Sequence, residues 1–314
     1  MKKPNRARVG HGAFLLFRTL FFIGMMYVLL FPLLVMLSRS LRAAVDMYNP
    51  AVVWIPQHFT LDNFREAIKF LDYVPSVLRT GRIALLCTVF SMISCSMAGY
   101  SLGRFQIKGR GVFTVLAIVT IIVPIQAYII PLFFRFRFFD WMSVGKLFSL
   151  FGVDLSVNLV NGEWPYYILA IFGMGLRSGL FIWIFMHFFQ SMPRELDDAS
   201  RIDGCGEAGT FLRIMLPNAL SPYLVTFVLS LVWYWNDTVY SGVLSRNKPL
   251  LATNLNNIRA LLLANWGGAS RGDGTGESVM IFSAALLFIL PPLLIYLIVQ
   301  RYFMQSVERT GIVG

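Results

Sequence analysis

Six long apolar runs constrain the fold of this chain more than any other feature. About 20 apolar residues in a helix cross the hydrocarbon core of a bilayer, and backbone inside hydrocarbon must satisfy its own hydrogen bonds. The alternating pattern of barrel strands is absent. The sequence therefore predicts an all-α, polytopic membrane protein, a single domain over residues 1–314, with six transmembrane helices at about 15–37, 83–103, 112–134, 166–190, 218–240 and 279–300.

The composition agrees with a membrane location. Of the 314 residues, 57% are hydrophobic and 14% are charged, whereas an average soluble domain carries about 25% charged residues. The first apolar run follows four basic residues, which is also how a secretory signal peptide begins. That run is too long for a signal peptide, and no small-x-small cleavage pattern follows it closely. We therefore interpret it as a retained first span.

Basic residues set the predicted orientation. The net charge of +11 is spread over the loops without the basic–aromatic clustering of nucleic-acid-binding proteins, so contact with the membrane surface explains it better. Cytoplasmic loops carry an excess of Lys and Arg. This rule places both termini and the loop 191–217 in the cytoplasm, on the strength of Lys2, Lys3, Arg6, Arg8, Arg104, Lys108 and Arg110. The long loops 38–82, 135–165 and 241–278 then lie outside.

A polar segment, Met192–Pro217, separates the fourth and fifth runs. Pro193 and the acidic residues after it are typical of a helix start, because Pro suits the first helical position and acids suit the positive end of the helix dipole. Gly204 and Gly206 interrupt this helix, and a second short helix is predicted over Glu207–Met215. Such a unit at a membrane surface suits docking against another protein. An ordinary connecting loop is the alternative interpretation.

The order of residues in this segment resembles a known motif. Asp198-Ala199-Ser200, then Asp203-Gly204, then Ile214-x-Leu216-Pro217 is similar to the "EAA" loop of binding-protein-dependent ABC importer permeases. Two positions depart from the family pattern, with Asp198 in place of Glu and Ser200 in place of Ala. The resemblance implies a cytoplasmic coupling helix that contacts an ATPase through Asp198, Ala199, Ser200, Asp203, Gly204 and Pro217.

Four further motifs extend the resemblance in the correct order along the chain. They are P-x-x-F-T-x-x-N-F at 56–64, with a short helix predicted to start at Thr60 or Asp62, A-G-Y-x-x-x-R-F at 98–105, W-N-D at 235–237 and Q-R-Y-F at 300–303. Together they are similar to the maltose-type, carbohydrate-importing branch of these permeases.

This branch implies a subunit of an ATP-driven importer of a sugar or oligosaccharide, in a bacterial or archaeal cell (inner) membrane. The implied partners are a second homologous permease, two ATP-binding subunits and an extracytoplasmic solute-binding protein, with no nucleic acid.

The sequence contains no motif for catalysis. A phosphate-binding GxxxxGK[ST] loop is absent, so the resemblance implies that ATP and Mg²⁺ are used by the partner ATPase and that this chain binds no cofactor. No HExxH or paired-carboxylate motif occurs, and the three cysteines have no zinc-site spacing. We therefore expect neither a metal site nor an enzyme.

Two groups of polar and aromatic residues are candidates for the substrate path. One comprises Trp233, Tyr234, Asn236 and Asp237 near the end of the fifth run; the other comprises Gln126 and Tyr128 after Pro124 in the third. A broken helix there would expose backbone carbonyls to a cavity. Alternatively, these aromatics belong to the interfacial belt of a membrane protein, and Pro124 only kinks a helix.

Arg177 and Asp237 are the ionisable residues nearest to span interiors. Intramembrane charge indicates function by default, but both side chains would also fit near the external interface, with Arg177 extending to water.

Two rival functions remain at this point. The first is an importer permease of the same design for another solute, such as a polyamine, phosphate or an amino acid. The second is an ion-driven secondary transporter, which usually shows inverted repeats and buried acids near the membrane midplane. Neither feature is evident in this sequence.

Overall fold

The computed structural model describes residues 6–47, 49–140, 156–265 and 275–311, and within these ranges the predicted all-α class is confirmed. Two isolated bridges, Arg42 to Phe59 and Phe139 to Val157, are the β-type pairings of this part of the chain. Parts of the predicted external loops, 141–155 and 266–274, lie outside the described residues.

The helices follow one another in chain order, with short 3₁₀ and π turns at 125–127 and 211–215. They are α1 (Arg6–Ser40), α2 (Ala44–Met47), α3 (Asp62–Phe70), α4 (Tyr73–Arg104), α5 (Arg110–Ile122), α6 (Ile129–Arg137), α7 (Trp164–Ile171), α8 (Ser178–Ser191), α9 (Glu195–Ile202), α10 (Glu207–Thr210), α11 (Leu216–Asn218), α12 (Leu220–Trp235), α13 (Val239–Leu244), α14 (Leu251–Asn256), α15 (Ile258–Asn265) and α16 (Thr275–Gly311).

The described residues do not contain the six continuous transmembrane helices that the sequence predicts. Three helices are long and apolar enough to span a bilayer: Phe14–Ser40, Tyr73–Arg104 and Ser278–Tyr302. A fourth span results if the pair Glu207–Asn218 and Leu220–Trp235, bent by 77°, counts as one. The third, fourth and fifth predicted runs are instead built from shorter helices, and α5 is 13 residues long.

Each break has a local cause. Val123 is extended (ψ 118°) because the following Pro124 disfavours a helical residue before it. Helix α7 ends at Gly173, whose positive φ of 66° supports a Schellman motif: Gly173 N–H donates to Ala170 O and Met174 N–H to Leu169 O. Helix α12 ends before Asp237, whose carboxylate caps the helix that follows.

By backbone proximity the chain divides into two units, Met1–Leu71 with Ile258–Ile289, and Asp72–Asn257 with Leu290–Gly314. In the first, Asn63 donates to the carbonyls of Ser40 and Arg42 at 2.9 Å each and fastens α3 to the end of α1. Buried Asp46 accepts hydrogen bonds from the ring and backbone of His58, which lower the pKa of Asp46. The predicted short helix is confirmed, beginning at Asp62 after Thr60.

Helix α4 is central to the second unit and packs against α7, α8 and α12. Gly99 and Gly103, one helical turn apart on α4, face α8. A Cβ at Gly99 would lie 2.5 Å from Phe185 Cβ and 2.8 Å from Met186 N, and one at Gly103 would lie 3.0 Å from Met186 O. This is the small-xxx-small arrangement that lets membrane helices approach closely.

We predict that Gly99→Ala destabilises the protein by about 1–3 kcal/mol, because the added methyl overpacks backbone that cannot withdraw. The measurement is thermal unfolding of the purified protein in detergent. Gly24→Ala is the matched control, since Gly24 also lies in an apolar helix but a Cβ there meets nothing within 4 Å. Equal melting temperatures for the two variants would contradict the prediction.

Candidate functional site

In the segment 191–217 helix α9 ends at a glycine, as its sequence predicts, and a second helix starts at Glu207. The predicted second helix, Glu207–Met215, is α-helical only as far as Thr210 and continues as a π turn over Phe211–Met215. Helix α9 ends in a Schellman motif in which Gly204 N–H donates to Arg201 O (3.1 Å) and Cys205 N–H to Ser200 O (3.0 Å). Gly204 has a φ of +78°, a conformation that glycine adopts without strain. A Cβ at Gly204 would meet no atom of this chain within 4 Å. The turn therefore presents an open surface.

A buried hydrogen bond holds the two halves of this segment together. The hydroxyls of Ser200 and Thr210 bond to each other, and both side chains are inaccessible to solvent. Ser200 therefore lies inside the segment and not on its surface. The other residues of the predicted coupling set are exposed: Asp198, Ala199, Asp203, Gly204 and Pro217.

Arg104, the last residue of α4, anchors the start of the segment. Its guanidinium donates to Met192 O and Pro193 O at 2.8 Å each and lies 3.1 Å from Asp197 Oδ2. The side chain of Arg104 is only 6% exposed. A buried charge requires such compensation, because its desolvation costs several kcal/mol. The polar segment is thus tied to the most central helix of its unit.

Aromatic packing supports the same junction from beneath. The ring of Tyr100, also on α4, lies 5.1–5.5 Å from the rings of Phe105, Phe189 and Phe211. The pairs with Phe105 and Phe189 are edge-to-face, and such pairs stabilise a core beyond their buried area. On the outer side, Ile202 is 86% exposed. The segment therefore has a fixed inner face and an apolar outer residue available to a partner.

We predict that Arg104→Ala speeds backbone hydrogen exchange of residues 195–203 by about tenfold or more, because hydrogen bonds to charged groups contribute about 1.5–3 kcal/mol each. Arg201→Ala is the control. It removes an exposed ion pair with Glu207 at 3.1 Å, and such pairs contribute about 0–1 kcal/mol, so its effect stays within about fivefold. Equal exchange in both variants would show that Arg104 does not anchor the segment.

A second feature is a cavity of about 440 Å³ formed where the third, fourth and fifth runs are interrupted. Gln126 and Tyr128 reach it from the break after α5, and Arg177 from the break before α8. It is lined by Thr120, Ile121, Ile122, Val123, Pro124, Ile125, Gln126, Tyr128, Leu176, Arg177, Trp233, Asn236, Asp237, Thr238 and Val239. Five of the six predicted substrate-path residues therefore line one cavity.

Tyr234 is the sixth and does not line the cavity. It is fully buried, and its hydroxyl accepts a hydrogen bond from Leu176 N–H at 3.2 Å. A Cβ on Gly175 would collide with this hydroxyl. Tyr234 thus positions the break before α8 and does not face the cavity.

The carboxylate of Asp237 has a structural role. It accepts hydrogen bonds from the Tyr166 hydroxyl at 2.9 Å and from the backbone N–H groups of Tyr240 and Ser241 at 3.0 and 2.9 Å. The negative charge lies at the N-terminus of α13, where the helix dipole favours it. Asp237 therefore fixes the wall of the cavity beside Asn236.

Glu163, which precedes α7, joins α7 to α4 at the opposite end of α4 from the polar segment. It pairs with Arg82 on α4 and lies 3.5 Å from Arg79 Nε. Burial raises the pKa of Glu163, but hydrogen bonds from Arg82 and Tyr167 and the charges of both arginines outweigh burial and hold the pKa below its ordinary value. Glu163 stays ionised and closes this end of the α4–α7 packing. Within the described part of the chain, no group of three or more His, Cys, Asp or Glu is arranged to hold a metal.

Sequence reasoning missed the roles of Arg104 and Tyr166. Arg104 belongs to the A-G-Y-x-x-x-R-F motif and to the basic residues that set the predicted orientation, but neither pattern indicates that its guanidinium is buried. Nothing in the sequence pairs Tyr166 with Asp237, which is 71 residues away.

Comparison with known proteins identifies relatives along most of the chain. Residues 95–309 match the family described as "Binding-protein-dependent transport system inner membrane component". The arabinooligosaccharides transport system permease protein AraQ of Halalkalibacterium halodurans is 25% identical over 303 residues, 94% of this chain and 95% of that protein. The diacetylchitobiose uptake system permease protein DasC of Streptomyces coelicolor is 24% identical over 302 residues, 93% and 94% of the two chains.

A solved structure shares the fold. A chain of a bacterial ABC transporter involved in the import of the acidic polysaccharide alginate superimposes with a TM-score of 0.70 at 18% identity, covering 96% of this chain and 100% of that one.

Proposed function

We propose that this chain, which belongs to the family of binding-protein-dependent transport system inner membrane components, is the permease subunit of an ATP-driven importer of sugars or oligosaccharides. The substrate class rests on relatives such as AraQ and DasC, which align with more than nine-tenths of the chain and whose names specify arabinooligosaccharide transport and diacetylchitobiose uptake. The chain is a membrane transport component, and the ATP hydrolysis that drives it takes place in a partner subunit, where ATP and Mg²⁺ bind.

The observation that carries the mechanism is the anchored segment 191–217. It offers an ATPase the exposed residues Asp198, Ala199 and Asp203 around the open turn at Gly204. A partner cleft that closes on this turn would move residues 192–197, which Arg104 joins to α4. Because packed helices shift as bodies and do not deform continuously, α4 would carry the motion to α7, α8 and α12. Pro217 would fix the angle at which the segment enters α12.

The complete importer would contain this chain, a second homologous permease, two ATPase subunits and an extracytoplasmic binding protein. The two permeases form halves of the translocation path. The segment 191–217 and both chain termini lie in the cytoplasm, and the binding protein delivers its solute on the opposite side, at loops 38–82, 135–165 and 241–278. Closure of the ATPases opens the path outward, and hydrolysis resets it.

Purification of the native complex under mild solubilisation, with mass spectrometry of the co-purifying chains, tests this assembly. We expect a second permease, an ATPase and a binding protein. ATP-dependent uptake of saccharides into proteoliposomes then tests the substrate class. Recovery of this chain alone, with uptake driven by an ion gradient and no ATPase, would contradict the proposal in favour of a secondary transporter. Uptake of only a non-sugar solute would support the importer function but contradict a saccharide as its substrate.

We predict that Gly204→Asp leaves the chain inserted and assembled but lowers ATP-driven uptake by about tenfold or more. Asp tolerates positive φ, and its Cβ would meet no atom of this chain within 4 Å. In a docked contact its charged side chain would occupy space that the partner fills, and changes at central hot spots cost about 2 kcal/mol or more. Gly109→Asp is the matched control. Gly109 also has a positive φ (+83°) and open space around its Cβ, but it lies in the loop 104–111. Wild-type uptake by Gly204→Asp would refute the docking role.

A further inference from the structure

Arg177 is the charged group of the cavity that no structural contact accounts for. Among the described residues its guanidinium forms no ion pair, and the nearest assigned contact is the ring of Trp233, 5.8 Å from Arg177 Cζ. Asp237 lines the same cavity, but its carboxylate already accepts hydrogen bonds from Tyr166, Tyr240 and Ser241. Cation–π contact contributes about 0.5–2 kcal/mol and leaves the N–H donors of the guanidinium without an assigned acceptor among the described residues.

The backbone holds Arg177 in a conformation that side chains rarely adopt. Its φ of 58° lies in the left-handed region, which costs a non-glycine residue about 1 kcal/mol or more and persists where the surroundings require it. Hydrogen bonds from Leu180 and Phe181 to Arg177 O start α8 at this residue. The side chain is thus directed by a helix start, next to Leu176, which Tyr234 fixes.

Arg177 is exposed in this chain and lies far along the helices that begin or end at the cavity. Helix α8 has 14 residues and α12 has 16, so at 1.5 Å per residue the breaks lie about 21–24 Å from the ends that adjoin segment 191–217. The hydrocarbon core is about 30 Å thick. Measured along these helices, Arg177 therefore lies less than one hydrocarbon thickness from those ends. Charges at such positions in membrane proteins typically face a wet cavity and mark a substrate path.

The other lining groups are those that recognise a saccharide. Trp233 and Tyr128 present aromatic surfaces, while Gln126 and Asn236 supply planar amides. Guanidinium is planar and binds a carboxylate through two parallel hydrogen bonds. The cavity thus combines a surface for a sugar ring with one cationic fork that forms no ion pair with the described residues.

We propose that this cavity passes a saccharide bearing a carboxylate, such as an oligouronide, and that Arg177 holds the acidic group during passage. The inference rests on the proposed importer function and specifies its substrate class. The carboxylate of the solute replaces the missing partner of Arg177, stacked beside Trp233. Neutral sugars make the aromatic and amide contacts but leave the guanidinium uncompensated.

The test uses the complete complex, with its binding protein, in proteoliposomes. The probes are an oligouronide of two to four units and the same compound with its carboxyl groups chemically reduced to alcohols. We expect ATP-dependent uptake of the acidic compound to exceed that of the reduced one by about tenfold or more, because a site built to bind a polar group rejects an analogue that lacks it. Equal uptake of the two compounds, or uptake of neutral saccharides alone, overturns the inference while leaving the importer function intact. Absence of ATP-dependent saccharide uptake overturns both.

Variants of Arg177 then test whether this residue causes the preference for the acidic compound. Arg177→Asn removes the charge but accepts the left-handed backbone, and we expect it to reduce the acidic-to-neutral ratio to about one. Arg177→Lys restores charge without the fork and recovers part of the ratio. Arg135→Gln, which removes an exposed arginine outside the cavity, leaves the ratio unchanged. A ratio that survives in Arg177→Asn, or falls equally in Arg135→Gln, overturns the role of Arg177; since both compounds meet the same complex, poor assembly does not change the ratio.

Discussion

The buried guanidinium of Arg104 is the contact on which the link between the polar segment and the apolar helices depends. Two carbonyl oxygens and Asp197 compensate its charge, and without them a charge this deeply buried would destabilise the fold by several kcal/mol. The segment is therefore held at its start by electrostatics and beneath by the aromatic rings around Tyr100. These contacts connect the segment directly to α4.

Helices α4 and α8 approach each other closely. Gly99 and Gly103 bring the backbone of α4 against Phe185 and Met186, and interiors packed to this density move between discrete arrangements instead of yielding locally. The same helix reaches Glu163 through Arg79 and Arg82 at its other end. Helix α4 thus connects the polar segment to the opposite end of its unit.

The helix breaks of this protein form the walls of a cavity. Pro124, Gly173 and Asp237 each end or begin a helix for ordinary stereochemical reasons, and the three breaks meet around one cavity. Backbone that leaves the helix inside a membrane is tolerated only where protein or water satisfies it. The interruptions of the third, fourth and fifth apolar runs are thus the same features that form this cavity.

The sequence by itself determined the helical class, the apolar runs and the helix–glycine–helix character of 191–217, because periodicity, caps and glycine act within one or two turns of the chain. It also identified five cavity-lining residues, because polar and aromatic side chains inside apolar runs are conspicuous. Only the tertiary structure decided that Ser200 and Tyr234 are internal, that Asp237 is a helix cap, and that Arg104 is buried while Arg177 lacks a carboxylate partner among the described residues. The cap by Asp237 is local, but Ser200, Tyr234 and Arg104 meet partners 10, 58 and up to 93 residues away along the chain. Such meetings are fixed by packing and have no local sequence pattern.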